Sequence, residues 1–419
     1  MVISRRVGLV VWMAVIVAGP SVRGAELPAS TPAAEGMSAE KLAGVGEVMN
    51  RLVSERHIAG GIVIVARHGK VVLHEPYGVM HLESQQPVAP DTIFRIYSMS
   101  KALTCAAAMV LVDEGKLELD APVGKYLPEL AEMKVVEGET DRPANSAITV
   151  TDLFLHTSGI PYGAAAGGRV EQYYELVDVL NRDSDLQLMV TKMGQLPLKF
   201  DPGTDWQYGA SIDVLGRVVE VVSGQPLDGF LQQRIFAPLG MTDTAFSVPA
   251  DKQQRFSANY CSDGQGRLVI RDEPTKSGYL HKPGLLSGGG GLVGTAGDYM
   301  RFLLMVAAGG QFDGQRILSA DSIQLMTTNQ VPDDAGWVTF GEEVRTGVGY
   351  GLGFSVTTAP DDANPHARQD EYGWGGAAST HYWVSPRDDL VVVTMEQRWP
   401  YSSETEVLLK PIIYDAIVE

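Results

Sequence analysis

The sequence predicts an α/β (α+β) fold: one discontinuous layer of strands and helices carrying an inserted, mainly helical subdomain. Three observations carry that expectation. β-branched runs lie towards both ends of the chain, at Gly60 to Val65 and at Leu390 to Gln397. An almost wholly apolar stretch, Ala102 to Val112, reads as a helix buried on every side. Between about 116 and 284 the segments read mainly as helix or loop. The expected division is an export signal at 1–24, a discontinuous α/β subdomain at 25–115 and 285–419, and an inserted subdomain at 116–284.

Taken in order, Ser38-Ala-Glu-Lys41 opens a helical stretch with Leu42, Val45, Val48 and Leu52 at helix spacing. Gly60 to Val65, the turn Arg67-His-Gly-Lys70 and Val71 to His74 form a hairpin. Gly115 stands where the buried helix wants a glycine cap. In the middle come Val150 to His156, Tyr173 to Asn181, and the stripe Ile212-Leu215-Val219-Val222 ending at Gly224. After the glycine run Gly288 to Gly291 a helix is expected from Ala296 to Ala308, with Thr295 and Asp298 set as a capping box. Strands follow at Tyr350 to Val356, Thr380 to Val384 and Leu390 to Gln397, and a final helix from Glu404 to Ile417. No internal repeat or low-complexity tract interrupts this order.

The 419 residues carry a net charge of −18, with 45% apolar and 20% charged side chains. Those proportions belong to a globular chain with a deep core. The acid excess excludes a nucleic-acid or anionic-membrane partner, because both need a field of the opposite sign. Two cysteines, Cys105 and Cys261, cannot build a disulfide framework or a thiolate metal cluster, and the sequence leaves open whether they meet. At the N-terminus a basic head (Met1 to Arg6), an apolar run (Val7 to Gly19) and a small-residue exit read as a secretory signal, with cleavage after Gly24. The run falls short of the roughly 20 residues that span a bilayer. An exported protein, periplasmic or secreted and without a stable membrane anchor after processing, is expected. Ser4-Arg5-Arg6 leaves twin-arginine and general export both open.

No metal or cofactor motif is present, and the eight histidines are scattered without ligand spacing, so no cofactor is expected. A GxSxG elbow is also missing; Gly209-Ala-Ser-Ile-Asp213 has aspartate where the second glycine belongs. What remains is Ser-x-x-Lys, which occurs twice. Ser38/Lys41 reads as a capping serine with an exposed lysine. Ser98/Lys101 differs, because Ser98 follows a strand-like Ile93 to Tyr97 and begins the buried helix, at the positive end of its dipole. Lys101 lies one turn on, over the same face. An ammonium there either lowers its pKa or finds partners, and a lysine of lowered pKa activates a serine hydroxyl without histidine. Tyr208 is placed on a loop at a helix mouth. The stretch Tyr372-Gly-Trp-Gly-Gly-Ala377 precedes the last strand pair, its glycines either forming a plain β-bulge or allowing a ligand or backbone to approach.

In this order the three elements resemble the serine β-lactamase and penicillin-binding-protein superfamily, most of all class C β-lactamases and family VIII carboxylesterases. Supporting stretches are Phe94-Arg-Ile-Tyr-Ser-Met-Ser-Lys101, Leu155-His-Thr-Ser-Gly159, Phe200-Asp-Pro-Gly203, Pro238-Leu-Gly-Met241 and Gly290-Gly-Leu-Val-Gly-Thr295. The resemblance spans about residues 35 to 418 and implies a β-lactamase/transpeptidase-like fold with a central antiparallel sheet. It makes Ser98 the acylated nucleophile, Lys101 its proton-transfer partner and Tyr208 the tyrosine of the Tyr-x-Asn motif. Trp374, Gly375 and Gly376 take the place of Lys-Thr-Gly, and the backbone N–H groups of Ser98 and Ala377 would hold the oxyanion.

Two departures bear on the substrate. Ala210 stands where β-lactamases keep an asparagine, and Trp374 replaces the lysine that attracts the substrate carboxylate. A lost charge-assisted contact costs about 1.5–3 kcal/mol and a neutral one about 1. The expected enzyme is therefore a serine carboxylesterase for small to medium acyl chains, with weak β-lactam hydrolysis at most. The alternative is a β-lactamase or D-Ala-D-Ala carboxypeptidase. Whether Lys101 or Tyr208 is the base stays open, since without the second lysine less positive charge surrounds Tyr208.

Overall fold

The computed structural model describes residues 26–418, apart from 165, 333–334, 336–337, 341–342 and 361–363. The expected signal at 1–24 lies outside the described residues. The frame is an eight-stranded sheet. Strands β1 (Gly60–Arg67), β2 (Lys70–His81) and β3 (Gln86–Pro87) come from the N-terminal part. The others are β4 (Val348–Tyr350), β5 (Ser355–Thr357), β6 (Tyr372–Gly376), β7 (Thr380–Ser385) and β8 (Leu390–Glu396). Their order is β4-β5-β6-β7-β8-β1-β2-β3, so the two ends of the chain meet at β8 and β1. Every neighbouring pair is antiparallel.

Among the helices that cover this sheet or lie between residues 116 and 284 are α1 (Gly44–Ser54), α2 (Ser100–Asp113), α3 (Val150–Leu155), α4 (Arg169–Val177), α5 (Leu186–Met193), α6 (Ser211–Ser223), α7 (Ala296–Ala307) and α8 (Glu404–Asp415). Strand β1 is buried along its whole length because helices cover both faces. Alternation sends Ile62 and Ile64 into one core with Met395, Val393 and residues of α2 and α7, and Val63 and Val65 into the other with α1 and α8. Each such side chain contributes roughly 1.5–3 kcal/mol by leaving water. Helix α2 lies wholly inside the first core, where its residues from Ser100 to Leu111 are buried, as its all-round apolar sequence requires. Residues 116–284 supply α3 to α6 and two hairpins, and the hairpin strand Asn259–Ser262 pairs in parallel with Arg398–Trp399.

Three local expectations need correction. Tyr350 to Val356 is two short strands, β4 and β5, folded on a turn at Gly353, whose φ is +121°. A side chain there would meet the Cβ of Cys105 at 2.7 Å, so the close passage over α2 demands the glycine and breaks the strand. Ser98 does not begin α2; it sits in a 3₁₀ turn, Tyr97–Met99, just ahead of it. Thr295 caps α7 by accepting the Asp298 N–H, but the Asp298 carboxylate accepts the Asp243 N–H and the Thr244 hydroxyl (2.7 and 2.9 Å). The capping box is thus half formed, its acid serving a neighbouring loop. Cys105 and Cys261 are both free, and the former is buried in α2.

At the end of β8, Glu396 is fully buried, with Thr405 and the buried His381 ring, 3.7 Å away, beside its carboxylate. Burial lifts its pKa to about 8. An acid whose folded value lies above its unfolded one binds its proton on folding, so this stability is complete below about pH 4.5 and is lost as pH rises towards 8. Glu396→Gln should therefore gain stability over the wild type between pH 6 and pH 9, by a few kcal/mol at most. Paired melting curves at the two pH values check this; an unchanged difference would contradict it.

Candidate active site

The turn that presents Ser98 is held from below. Phe94–Arg95 pairs with Val293–Gly294, and the Gln397 side chain accepts the Arg95 N–H and donates to its carbonyl (3.1 and 3.2 Å). The fully buried Arg95 guanidinium donates to Asp272 at 2.7 Å and to the Ser257 carbonyl at 2.6 Å. Tyr97, next to Ser98, has φ +40°, a costly conformation for a residue with a side chain. Its ring leans on Trp399 and its hydroxyl accepts from Asn259, contacts that keep it there. Further on, the Tyr299 hydroxyl donates to the Met99 carbonyl at 2.9 Å. A strained, tightly bonded turn fixes Ser98, half-buried, at a cavity wall.

Lys101 is 1% exposed and its ammonium finds three acceptors: Ser98 Oγ at 3.3 Å, the Tyr162 hydroxyl at 2.9 Å and the Gly289 carbonyl at 2.6 Å. Three acceptors match an ammonium, which has three donors and no lone pair. Burial is the largest influence on its pKa and pulls it down, yet the oxygens of Tyr162, Tyr208 and Asp213 outweigh it, and the net shift is upward. Of the two outcomes open to a lysine in an apolar helix, the structure shows partners. The geometry sets Lys101 as a donor to Ser98, Tyr162 and Gly289 together.

Tyr208 lies just before α6, in the loop the sequence indicated. Its ring faces the Lys101 ammonium, 4.6 Å from the centroid. The loop is pinned by the Gln207 N–H donating to the His156 carbonyl at 2.9 Å and by Ser158 and Ser211 hydroxyls 2.8 Å apart. Gly209 packs so tightly on Ile160 and Pro161 that no side chain fits. The His156 ring rests 4.9 Å from that of Tyr208; burial drives its pKa well down, so it is a neutral packing group.

Strand β6 brings the third element. Gly376 passes Ile96 so closely that a Cβ would lie 2.5 Å from the Ile96 carbonyl oxygen, which sets the end of the strand beside the Ser98 turn. The glycines do not form a β-bulge: Tyr372 to Gly376 pair residue for residue with β7. Just before the strand, the buried Glu371 carboxylate accepts from Lys410 of α8 at 2.6 Å and from the Tyr414 hydroxyl, anchoring β6 to that helix. The Trp374 indole N–H donates to the Tyr208 hydroxyl at 3.3 Å. Tryptophan here supplies a donor to the phenol as well as an apolar wall. Ser98, Tyr208, Trp374, Gly375, Gly376 and Ala377 all line one cavity of about 710 Å³.

The sequence-predicted residues therefore converge. Sequence reasoning missed Tyr162, Gly289 and Asp213. Tyr162 follows the Leu155 to Gly159 stretch by three residues, and Gly289 lies in the glycine run, but nothing in either spacing pointed to Lys101.

A family model described as Beta-lactamase matches residues 45–410. The Mycobacterium tuberculosis protein Rv1367c is 36% identical, over 82% of this chain and 86% of its own length. Esterase EstB of Burkholderia gladioli is 33% identical, over 85% of this chain and 90% of its own. Among solved structures, the fold is similar to that of EstCE1, described as a hydrolase with promiscuous acyltransferase activity. Its TM-score is 0.74 at 24% identity, covering 90% of this chain and 99% of that one.

Proposed function

The chain belongs to the beta-lactamase family, and from that premise we propose that it is a serine carboxylesterase acting through an acyl-enzyme on Ser98. The observation that carries this reading is Lys101 Nζ bonded to Ser98 Oγ under the Tyr208 ring, whose hydroxyl accepts the Trp374 N–H. In this step Tyr208 reacts as its phenolate: Ser98 Oγ attacks the ester carbonyl while the Tyr208 oxygen takes the hydroxyl proton and becomes the neutral phenol. Lys101, with all three donors engaged, has no lone pair to take that proton; its charge and the Trp374 N–H meet the phenolate instead. The carbonyl oxygen is held by the N–H groups of Ser98 and Ala377. Collapse breaks the ester C–O bond, the alcohol leaves with the proton from Tyr208, and water attacks the acyl-enzyme by the reverse route to release the acid. The pattern of residues 1–24 supports action outside the cytoplasm.

Small to medium acyl esters fit the cavity's tryptophan wall better than anionic lactams. Ala210 offers no amide and Trp374 no positive charge to a carboxylate. With those two contacts gone, p-nitrophenyl acetate-to-octanoate esters should outpace nitrocefin by about 100-fold in kcat/KM. A panel that includes a D-Ala-D-Ala peptide checks the ranking. Faster turnover of nitrocefin or of the peptide than of every ester would replace this reading with the β-lactamase or carboxypeptidase alternative.

A further inference from the structure

We propose that Asp213 is the buried counter-charge of Lys101, fixing the Gly289 backbone that positions its ammonium and holding it charged. The inference rests on the acyl-transfer reading, in which a charged Lys101 faces both Ser98 and Tyr208. Asp213 lies in the first turn of α6 and is fully buried. Its Oδ1 accepts the Gly289 N–H at 3.1 Å and the Ser287 hydroxyl at 2.5 Å, while the carbonyl of that same Gly289 accepts from Lys101 Nζ at 2.6 Å. The N–H lies in the 288–289 peptide and the carbonyl in the 289–290 peptide, so Asp213 and Lys101 hold the two peptides that flank the Gly289 Cα, and both hydrogen bonds are made in a water-excluded interior.

The loop that carries the peptide is fitted closely. The Thr104 hydroxyl donates to the Gly288 carbonyl at 2.8 Å, and a Cβ on Gly288 would meet Thr104 Cγ2 at 2.9 Å. On Gly289 a Cβ would collide with the Asp213 carboxylate itself. Asp213 Oδ2 has no hydrogen-bond partner among the described residues. A fully buried carboxylate left half satisfied is expensive, and the neighbouring cation explains why it persists.

The titratable groups acting on Lys101 come from every element around it. Helix α2 itself contributes Cys105, whose thiol burial pushes up; the segment after α3 contributes His156 and Tyr162; the approach to α6 contributes Tyr208, and its first turn Asp213. Burial raises the pKa values of Tyr162 and Asp213 and lowers that of His156, and Lys101 pulls the first two back. Within this set Asp213 is the carboxylate. Removing its charge while keeping its shape should therefore weaken the hold on the Lys101 proton.

The test is Asp213→Asn, which keeps an oxygen for the Gly289 N–H. Ester hydrolysis should fall about 10- to 100-fold in kcat with little change in KM. The alkaline limb of the kcat profile should move down by about one to three pH units, because the ammonium is lost earlier. Ser287→Ala, which leaves the carboxylate in place, should keep that limb where it is in the wild type. An Asp213→Asn profile that superimposes on the wild type, with kcat within threefold, overturns the inference. Should that variant fail to fold, Lys101→Met and Lys101→Met/Asp213→Asn are compared by urea unfolding. The double variant should be the more stable, and equal or lower stability overturns the inference. Ser98→Ala separates the two levels: full turnover there defeats the acyl-transfer reading, whereas an inactive Ser98→Ala beside a wild-type-like Asp213→Asn defeats the Asp213 role alone.

Discussion

Ser98→Ala should lose ester hydrolysis by a factor on the order of 10³ to 10⁶, with its fold and melting temperature nearly unchanged. The size of the loss follows from covalent catalysis: without the hydroxyl no acyl-enzyme forms, and only binding and the oxyanion donors remain. Stability should hold because Ser98 is half-buried and its hydroxyl accepts a long hydrogen bond, 3.3 Å, from Lys101. Initial rates on a p-nitrophenyl ester, with circular dichroism as a fold control, decide the matter. Intact-mass spectra of the wild type under steady state should show a transient acyl adduct that Ser98→Ala does not show. A variant with wild-type rates would place the nucleophile elsewhere.

Lys101→Met should abolish activity to a comparable degree but should also cost stability, and the two losses have separate causes. Activity falls because the charge facing Tyr208 and the donor to Ser98 disappear together. Stability falls because the Asp213 carboxylate stays buried without its cation, a change worth about 3–5 kcal/mol when one partner of a buried pair is removed. Methionine is close in volume to the lysine stem, so little of the loss comes from packing. The sign with pH follows from burial: with Lys101 gone the Asp213 pKa rises further above its unfolded value, so stability should drop as pH increases. Adding Asp213→Asn should restore the stability and abolish the extra pH dependence that Lys101→Met introduces, without restoring turnover. Urea unfolding at pH 6 and pH 9 checks both parts, and a loss of stability independent of pH would argue for packing alone.

Much of the frame was legible because its signals are local. The apolar run of α2, the β-branched runs of β1 and β8, and the glycine caps at Gly115 and Gly224 each encode their element within a dozen residues. Where a distant contact overrides the local pattern, that legibility ends. Gly353 breaks a continuous-looking strand because α2 lies directly beneath it, and Asp298 leaves its capping box for a loop 55 residues away. Asp213 stayed invisible for a different reason. An acid in the first turn of a helix already has an ordinary explanation in the helix dipole, so its pairing across to the Gly289 loop left no trace in the spacing.

By itself the amino-acid order determined which side chains could do chemistry: a serine one turn ahead of a lysine, a tyrosine at a helix mouth, and a tryptophan where a cation is usual. Only the folded chain decided their charge states and partners. Protonation depends on what surrounds a group within a few ångströms, and the oxygens around Lys101 come from residues 98, 162 and 289, with 208 and 213 acting alongside them. Groups so far apart in the chain meet only when the core closes, and the energy of that meeting lies in distance and dielectric, which no spacing along the sequence records.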